Sequence, residues 1–184
     1  MKTMDTPMNA ALWWQFGAAI DMLDNALTAC PETLWQERLW PIPADQLLAP
    51  EFAAFWYVGY HALFWLDFYL TGSKEGFAPP APITLAEFDP AGALPERPYT
   101  KDELRAYLAY TRRKGQTTLV TLTDERARQS LDFPWAHGQP VSFLELQLYN
   151  LRHVQEHAAQ LSLFLGQHAI SVGPSWVSRA KDEG

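Results

Sequence analysis

One cysteine, Cys30, is all the chain contains, so no disulfide can form within it. That suits a reducing compartment, and a cytoplasmic location is the expectation. Basic blocks are missing too: 14 Lys and Arg stand against 21 Asp and Glu, a formal net charge of −7. The summed field repels nucleic acid and anionic membranes, so neither is expected as a partner. No positively charged, leucine-rich leader opens the sequence, so a secretory signal is not expected. Clean period-two alternation bounded by hairpin turns is also lacking, which leaves little case for a β architecture. The longest apolar stretch, FAAFWYVGYHALFWLDFYL, is long enough to span a bilayer. It contains His61 and Asp67, however, and a lone span would leave a histidine in lipid. A buried helix of a bundle accounts for it better.

What the chain does have is length and aromatic bulk. Its 184 residues suffice for one domain with a sizeable core, and 48% are hydrophobic, with eight tryptophans. Four long helical patterns emerge. The first runs from about Pro7 to Ala29, with Thr6 and Pro7 as cap and first turn, and Leu12, Phe16, Ile20, Leu23 and Leu27 forming its apolar stripe. Cys30-Pro31 ends it. The second runs from about Pro50 to Leu70, apolar nearly all round and so largely buried. The third opens on Thr100-Lys101-Asp102-Glu103, a capping box, and continues to about Val120. A short helix is expected from Thr123 to Gln129. The fourth long helix opens on Ser142-Phe143-Leu144-Glu145, a second capping box, and runs to about Leu165, with Gly166 as its stop. Between the second and third lies a proline-rich stretch, Lys74 to Tyr99, which reads equally as a functional lid or wrapped segment, or as a meandering surface loop. The tail from Ser171 reads as exposed or loosely docked. The expectation is an all-α four-helix bundle forming a single domain over 1–184.

The residues with the most chemistry are histidines. His153 and His157 stand four apart, about 40° in direction, and project from one helix face. Their companions on that line are Leu146, Tyr149, Gln160 and Phe164, which turns both imidazoles toward the bundle. His61 sits mid-helix with Tyr57, Phe64 and Trp65 as facial neighbours. Buried imidazoles need partners for both ring nitrogens. Three of them together invite a metal, since three neutral histidines with an open position is a common catalytic zinc arrangement. The competing reading gives each its own carbonyl or tyrosine, and the choice turns on whether the two helices are adjacent.

Arg152-His153-Val154-Gln155-Glu156-His157 also matches the H-x-x-E-H pattern of inverted zinc peptidases. That chemistry needs a further ligand downstream, and after His157 the one glutamate is Glu183, in the tail. A peptidase is therefore not expected. The Glu-x-x-His pairs of diiron carboxylate bundles are absent from these helices. His137, in a Trp135-Ala136-His137-Gly138 loop, reads as exposed.

Three runs in this order, Gly59-Tyr60-His61-Ala62-Leu63, Thr100-Lys101-Asp102-Glu103-Leu104 and His153-x-x-x-His157-x-x-Gln160-Leu161, resemble the DinB-like or YfiT-like superfamily of metal-binding four-helix bundles. The likeness covers roughly Pro7 to Gln167. It implies one divalent metal, zinc or nickel, held by His61, His153 and His157, with water or substrate completing the shell. It further implies relatives that are transferases or an isomerase using a low-molecular-weight thiol, and the expectation is a metal-dependent enzyme of small molecules, a thiol-dependent transferase or a hydrolase. The alternative is a bundle that binds metal or a small ligand and runs no reaction. Tyr57, Trp65 and Tyr149 are the expected walls of a substrate pocket, and Gln160 a residue that lines it or orients a ligand. Excess apolar surface, together with the habit of relatives to pair through bundle faces, suggests a homodimer.

Overall fold

The computed structural model describes residues 6–43, 49–174 and 176–180. Its frame is four long helices, α1 (Thr6–Ala29), α2 (Phe55–Thr71), α3 (Lys101–Val120) and α5 (Phe143–Gln167), with a five-residue α4 (Asp124–Arg128) between the last two. Two-residue strands β1 (Ser130–Leu131) and β2 (Val141–Ser142) pair antiparallel just before α5. The molecule is thus all-α, as its periodicity predicts. Among the described residues no helix is long and apolar enough to cross a membrane.

α1 packs on α3 and α5, and α2 packs on the same two. Round the bundle the order is α1, α3, α2, α5, so consecutive α1 and α2 stand diagonally and α2 lies beside α5. The expected α1 stripe is the core stripe: Phe16, Ile20, Leu23 and Leu27 are fully buried. In α2 the burial runs nearly all round, as the sequence suggests, and includes Asp67. The core stripe of α5 is Leu146, Asn150, Val154, Ala158, Leu161 and Leu165, all fully buried. His153 and His157 flank this stripe and are only half-buried. They face α2 at the rim of the core, where the sequence placed them on the core-facing line itself.

Local chemistry sets most helix ends. Thr100 Oγ1 accepts from Glu103 N at 3.2 Å and Thr100 N donates to Glu103 Oε2 at 2.8 Å, the reciprocal box expected. Ser142 caps α5 from its own side, accepting from Glu145 N at 3.1 Å. Among the described contacts the Glu145 carboxylate does not return the bond, and the Ser142–Glu145 pair is half a box. Two boundaries correct the sequence reading. α2 starts at Phe55, because the chain near Trp35–Leu39 pairs with it: Leu39 N donates to Ala53 O and Phe55 N to Glu37 O. This pairing draws Ala54 into an extended conformation and leaves Pro50–Ala53 as a separate 3-10 turn. α5 runs past Gly166 to Gln167. Its left-handed residue is Ala169, with Ile170 N on Leu165 O and Ala169 N on Gly166 O, a Schellman closure without glycine. The tail is docked on α1: Ala180 N donates to Trp14 O at 2.8 Å, Gln15 Nε2 donates to Ser178 O, and Arg179 lies 3.8 Å over the Trp14 ring.

The proline-rich stretch is a wrapped segment, one of the readings its length allows. It contains a short turn, Ala86–Phe88, and lies across α2 as a strap. Phe88 is the wedge, with ring centroids 4.9 Å from Phe64, 4.8 Å from Phe68 and 5.7 Å from Phe77. Such aromatic pairs add about 0.5–1.5 kcal/mol each beyond the area they bury. Tyr60 Oη donates to Thr84 O, and Thr84 N donates to Tyr99 Oη.

Candidate metal centre

Because α2 and α5 are neighbours, His61 meets the pair on α5. Its ring centroid lies 5.1 Å from that of His153 and 5.0 Å from that of His157, which are 4.5 Å from each other. The nitrogens that face inward are the Nε2 atoms. His153 Nε2 is 3.2 Å from His61 Nε2 and 3.1 Å from His157 Nε2. Nitrogens held about 2.0–2.1 Å from one tetrahedral zinc are separated by about 3.3 Å, close to this spacing.

A proton count shows what the cluster can accept. A neutral imidazole carries one N–H. His61 Nδ1 faces Glu87 Oε2 at 2.9 Å, and His157 Nδ1 faces Gln160 Oε1 at 2.8 Å. Each acceptor claims the proton of its ring, so both Nε2 atoms present bare lone pairs to the centre. His153 Nδ1 is buried and has no partner among the described residues. At most one proton is then available to three converging nitrogens. Such a set fits a cation far better than it fits itself, and the three residues could hold a metal ion.

Burial and mutual repulsion keep the α5 pair neutral. Burial, then the neighbouring His157 and His61, push His153 down from 6.5 to about 2. His157 is lowered as well, by burial first and then by His61, against the opposing pull of Gln160, Glu156 and Glu87. Burial pulls the Glu87 carboxyl upward, but hydrogen bonding and charge attraction from His61, with help from Tyr57 and Trp65, outweigh it and leave its pKa below the usual carboxylate value. Near pH 7 His153 and His157 are therefore neutral imidazoles, and Glu87 beside them is a carboxylate.

Glu87 was not legible as a site residue. It comes from the strap, 26 residues from His61, and its side chain is 6% exposed. Trp65 Nε1 also donates to Glu87 Oε2, at 2.7 Å. A cleft of about 290 Å³ opens beside the cluster, with Trp40, Phe52, Tyr57 and Val58 facing His61, Glu87 and His157. Of the four expected pocket residues, Tyr57 lines this cleft. Trp65 holds Glu87, Gln160 holds His157, and Tyr149 stacks on Trp135 at 4.3 Å, with the Tyr69 ring 5.6 Å away. Trp40 and Phe52, from the connection before α2, were not foreseen, since nothing in their spacing ties them to the histidines. A larger depression of about 660 Å³ lies along the strap between Pro82 and Tyr99 and touches no histidine. The converging nitrogens, not cavity size, mark the site.

Glu156 and His137 are exposed, and among the described residues the hydrogen bond that Glu156 makes is from the Gln160 amide, at 3.5 Å. The H-x-x-E-H match thus lacks its base at the centre. Cys30 is buried, and burial first pushes its thiol up to about 12, against the lowering effect of Lys101.

A family model described as the DinB superfamily matches residues 15–161. Neither the curated proteins nor the solved structures yield a match.

Proposed function

The chain belongs to the DinB superfamily, and we propose that it is a metal-dependent enzyme acting on a small molecule, with His61, His153 and His157 as the ligands. The observation that carries this reading is the convergence of three Nε2 atoms at 3.1–3.2 Å with two of the Nδ1 protons tied outward. Zinc and nickel both suit an all-imidazole set. When bound, such an ion supplies Lewis acidity and favours the deprotonated form of a coordinated nucleophile.

The chain's own residues account for the rest. Gln160 and Glu87 hold two of the rings in the tautomer that offers Nε2. Trp40, Phe52 and Tyr57 give the cleft an aromatic wall against which the apolar part of a substrate can lie, excluding water from the reacting side. Burial, then Glu87, raises the Tyr57 hydroxyl well above its ordinary value, so it stays protonated and is not a base. The chain brings no thiolate of its own, since Cys30 is held protonated inside the core at the end of α1. The reaction class that fits is transfer to or from a low-molecular-weight thiol, with the nucleophile arriving as a co-substrate. Hydrolysis is the neighbouring class, with water in that place.

Cobalt-substituted protein tests the choice. Titration with glutathione should produce an intense sulfur-to-cobalt band in the near ultraviolet. No band with any small thiol, while carboxylates still perturb the visible cobalt spectrum, would reject thiol transfer and favour a hydrolytic role or a bundle that only binds metal.

A further inference from the structure

The acceptor that fixes His61 is itself fixed by an unusual route. Trp65 Nε1 can only donate, so Glu87 Oε2 must accept from it at 2.7 Å. The same oxygen faces His61 Nδ1 at 2.9 Å, and an oxygen already accepting from an indole takes a second donor. His61 and Trp65 stand one turn apart on α2, so a single helix face presents two donors to one carboxylate oxygen. The carboxylate is delivered from outside the bundle. Phe88, the next residue, is wedged among Phe64, Phe68 and Phe77, and Thr84, three residues before, receives the Tyr60 hydroxyl. The three ligands are unequal in this respect. His61 rests on a carboxylate, His157 on a neutral amide from its own helix, and His153 Nδ1 on nothing among the described residues.

We propose that Glu87 is a positioning residue: held by Trp65 and by the Phe88 wedge, it locks His61 in the Nδ1–H tautomer, so that tight metal holding depends on the docked strap. This rests on the metal reading above for its consequence, though the tautomer itself belongs to the metal-free protein. Imidazole free of such contacts favours the opposite tautomer, with the proton on Nε2, which would block the nitrogen the centre needs. A carboxylate behind a ligating histidine also raises its basicity, and loss of such a partner commonly weakens metal binding about 10–100-fold.

The experiment uses the full chain, labelled with 15N-histidine, stripped of metal and held near pH 8. Long-range proton–nitrogen spectra report the protonated nitrogen of each ring. Wild type should show His61 protonated at Nδ1. Glu87→Ala should move His61 toward the Nε2–H form while His157 keeps its Nδ1 proton. Competition with a chelator should then show about 10–100-fold weaker zinc binding, and Glu87→Gln, whose amide oxygen still accepts, should lose less than Glu87→Ala. Phe88→Ala, with Glu87 intact, should move the His61 tautomer in the same direction. An unchanged His61 tautomer in Glu87→Ala overturns the proposal even if zinc binding weakens, because the loss would then be structural. Zinc binding within twofold of wild type in that variant overturns it as well. If wild type itself binds no zinc, the metal reading fails, and the His61 tautomer still decides the role of Glu87.

Discussion

α2 carries two polar residues into the bundle, six positions apart, and the two meet opposite treatment. Asp67 is fully buried and saturated: Lys114 Nζ bonds Oδ1, and Tyr107 Oη donates to Oδ2 at 2.9 Å. Lys114 in turn donates to Asp67 O and to Thr71 Oγ1. Around His61 the accounting does not close. Three Nε2 atoms face one another, and His153 Nδ1 and Glu87 Oε1 are buried without partners of ordinary hydrogen-bond geometry among the described residues. Burial of an unpaired polar atom costs about 1–3 kcal/mol, so a cluster of them persists only where something else is served. The Asp67 network locks α2 to α3, and the histidine cluster leaves room for a guest between α2 and α5. A polar cluster in a core is read as structural or functional by whether its protons and lone pairs balance.

Breaking the closed side should give the largest effect. Asp67→Ala leaves Lys114 without its carboxylate and should cost about 3–5 kcal/mol in stability, read as a lower denaturant midpoint. The folded fraction should still bind one equivalent of metal. Retained stability would show that the network is not what ties α2 to α3.

Acid separates the two regions next. His153 titrates near 6.5 when unfolded and near 2 when folded, and His157 is lowered too. Below 6.5 the unfolded chain binds protons that the folded one refuses, so metal-free stability falls as pH drops from that value, by up to about 1.4 kcal/mol per pH unit for each histidine. Glu87, lowered from 4.5, adds loss in the same direction once pH falls below that value. Chemical denaturation of metal-free protein between pH 8 and 5 checks this. Replacing His153 by Phe should flatten the slope, and an unchanged slope would contradict the cause given.

Smaller effects sharpen the open side. Gln160→Ala frees His157 Nδ1 and should weaken zinc binding about tenfold with little change in stability. Glu156→Gln should change neither, because that carboxylate is exposed and away from the Nε2 atoms. Metal-dependent peptide cleavage by wild type that this variant abolishes would revive the peptidase reading.

Much of this was legible in the residues. The 3.6-residue spacing of Phe16, Ile20, Leu23 and Leu27 marked a helix face, and Thr100 with Glu103 marked a helix start, because both signals are local. The His153–His157 pair was legible for the same reason. The meeting of His61 with that pair was legible through the family resemblance alone, since periodicity tells which face is apolar but not which helix it touches. Glu87 was hidden by distance along the chain and by its setting in a proline-rich stretch without period. Its partners are a histidine and an indole on another element, and no spacing rule links them. Gly166 misled because glycine is the commonest left-handed stop; Ala169 adopts that conformation instead, with two backbone bonds closing the helix end.

The most direct test of the central claim is elemental analysis of the purified protein beside its His61→Ala, His153→Ala and His157→Ala variants. Wild type should carry close to one equivalent of a divalent transition metal, and each variant should lose it sharply, with helix content retained by circular dichroism. Stoichiometric metal that survives replacement of all three histidines would contradict it.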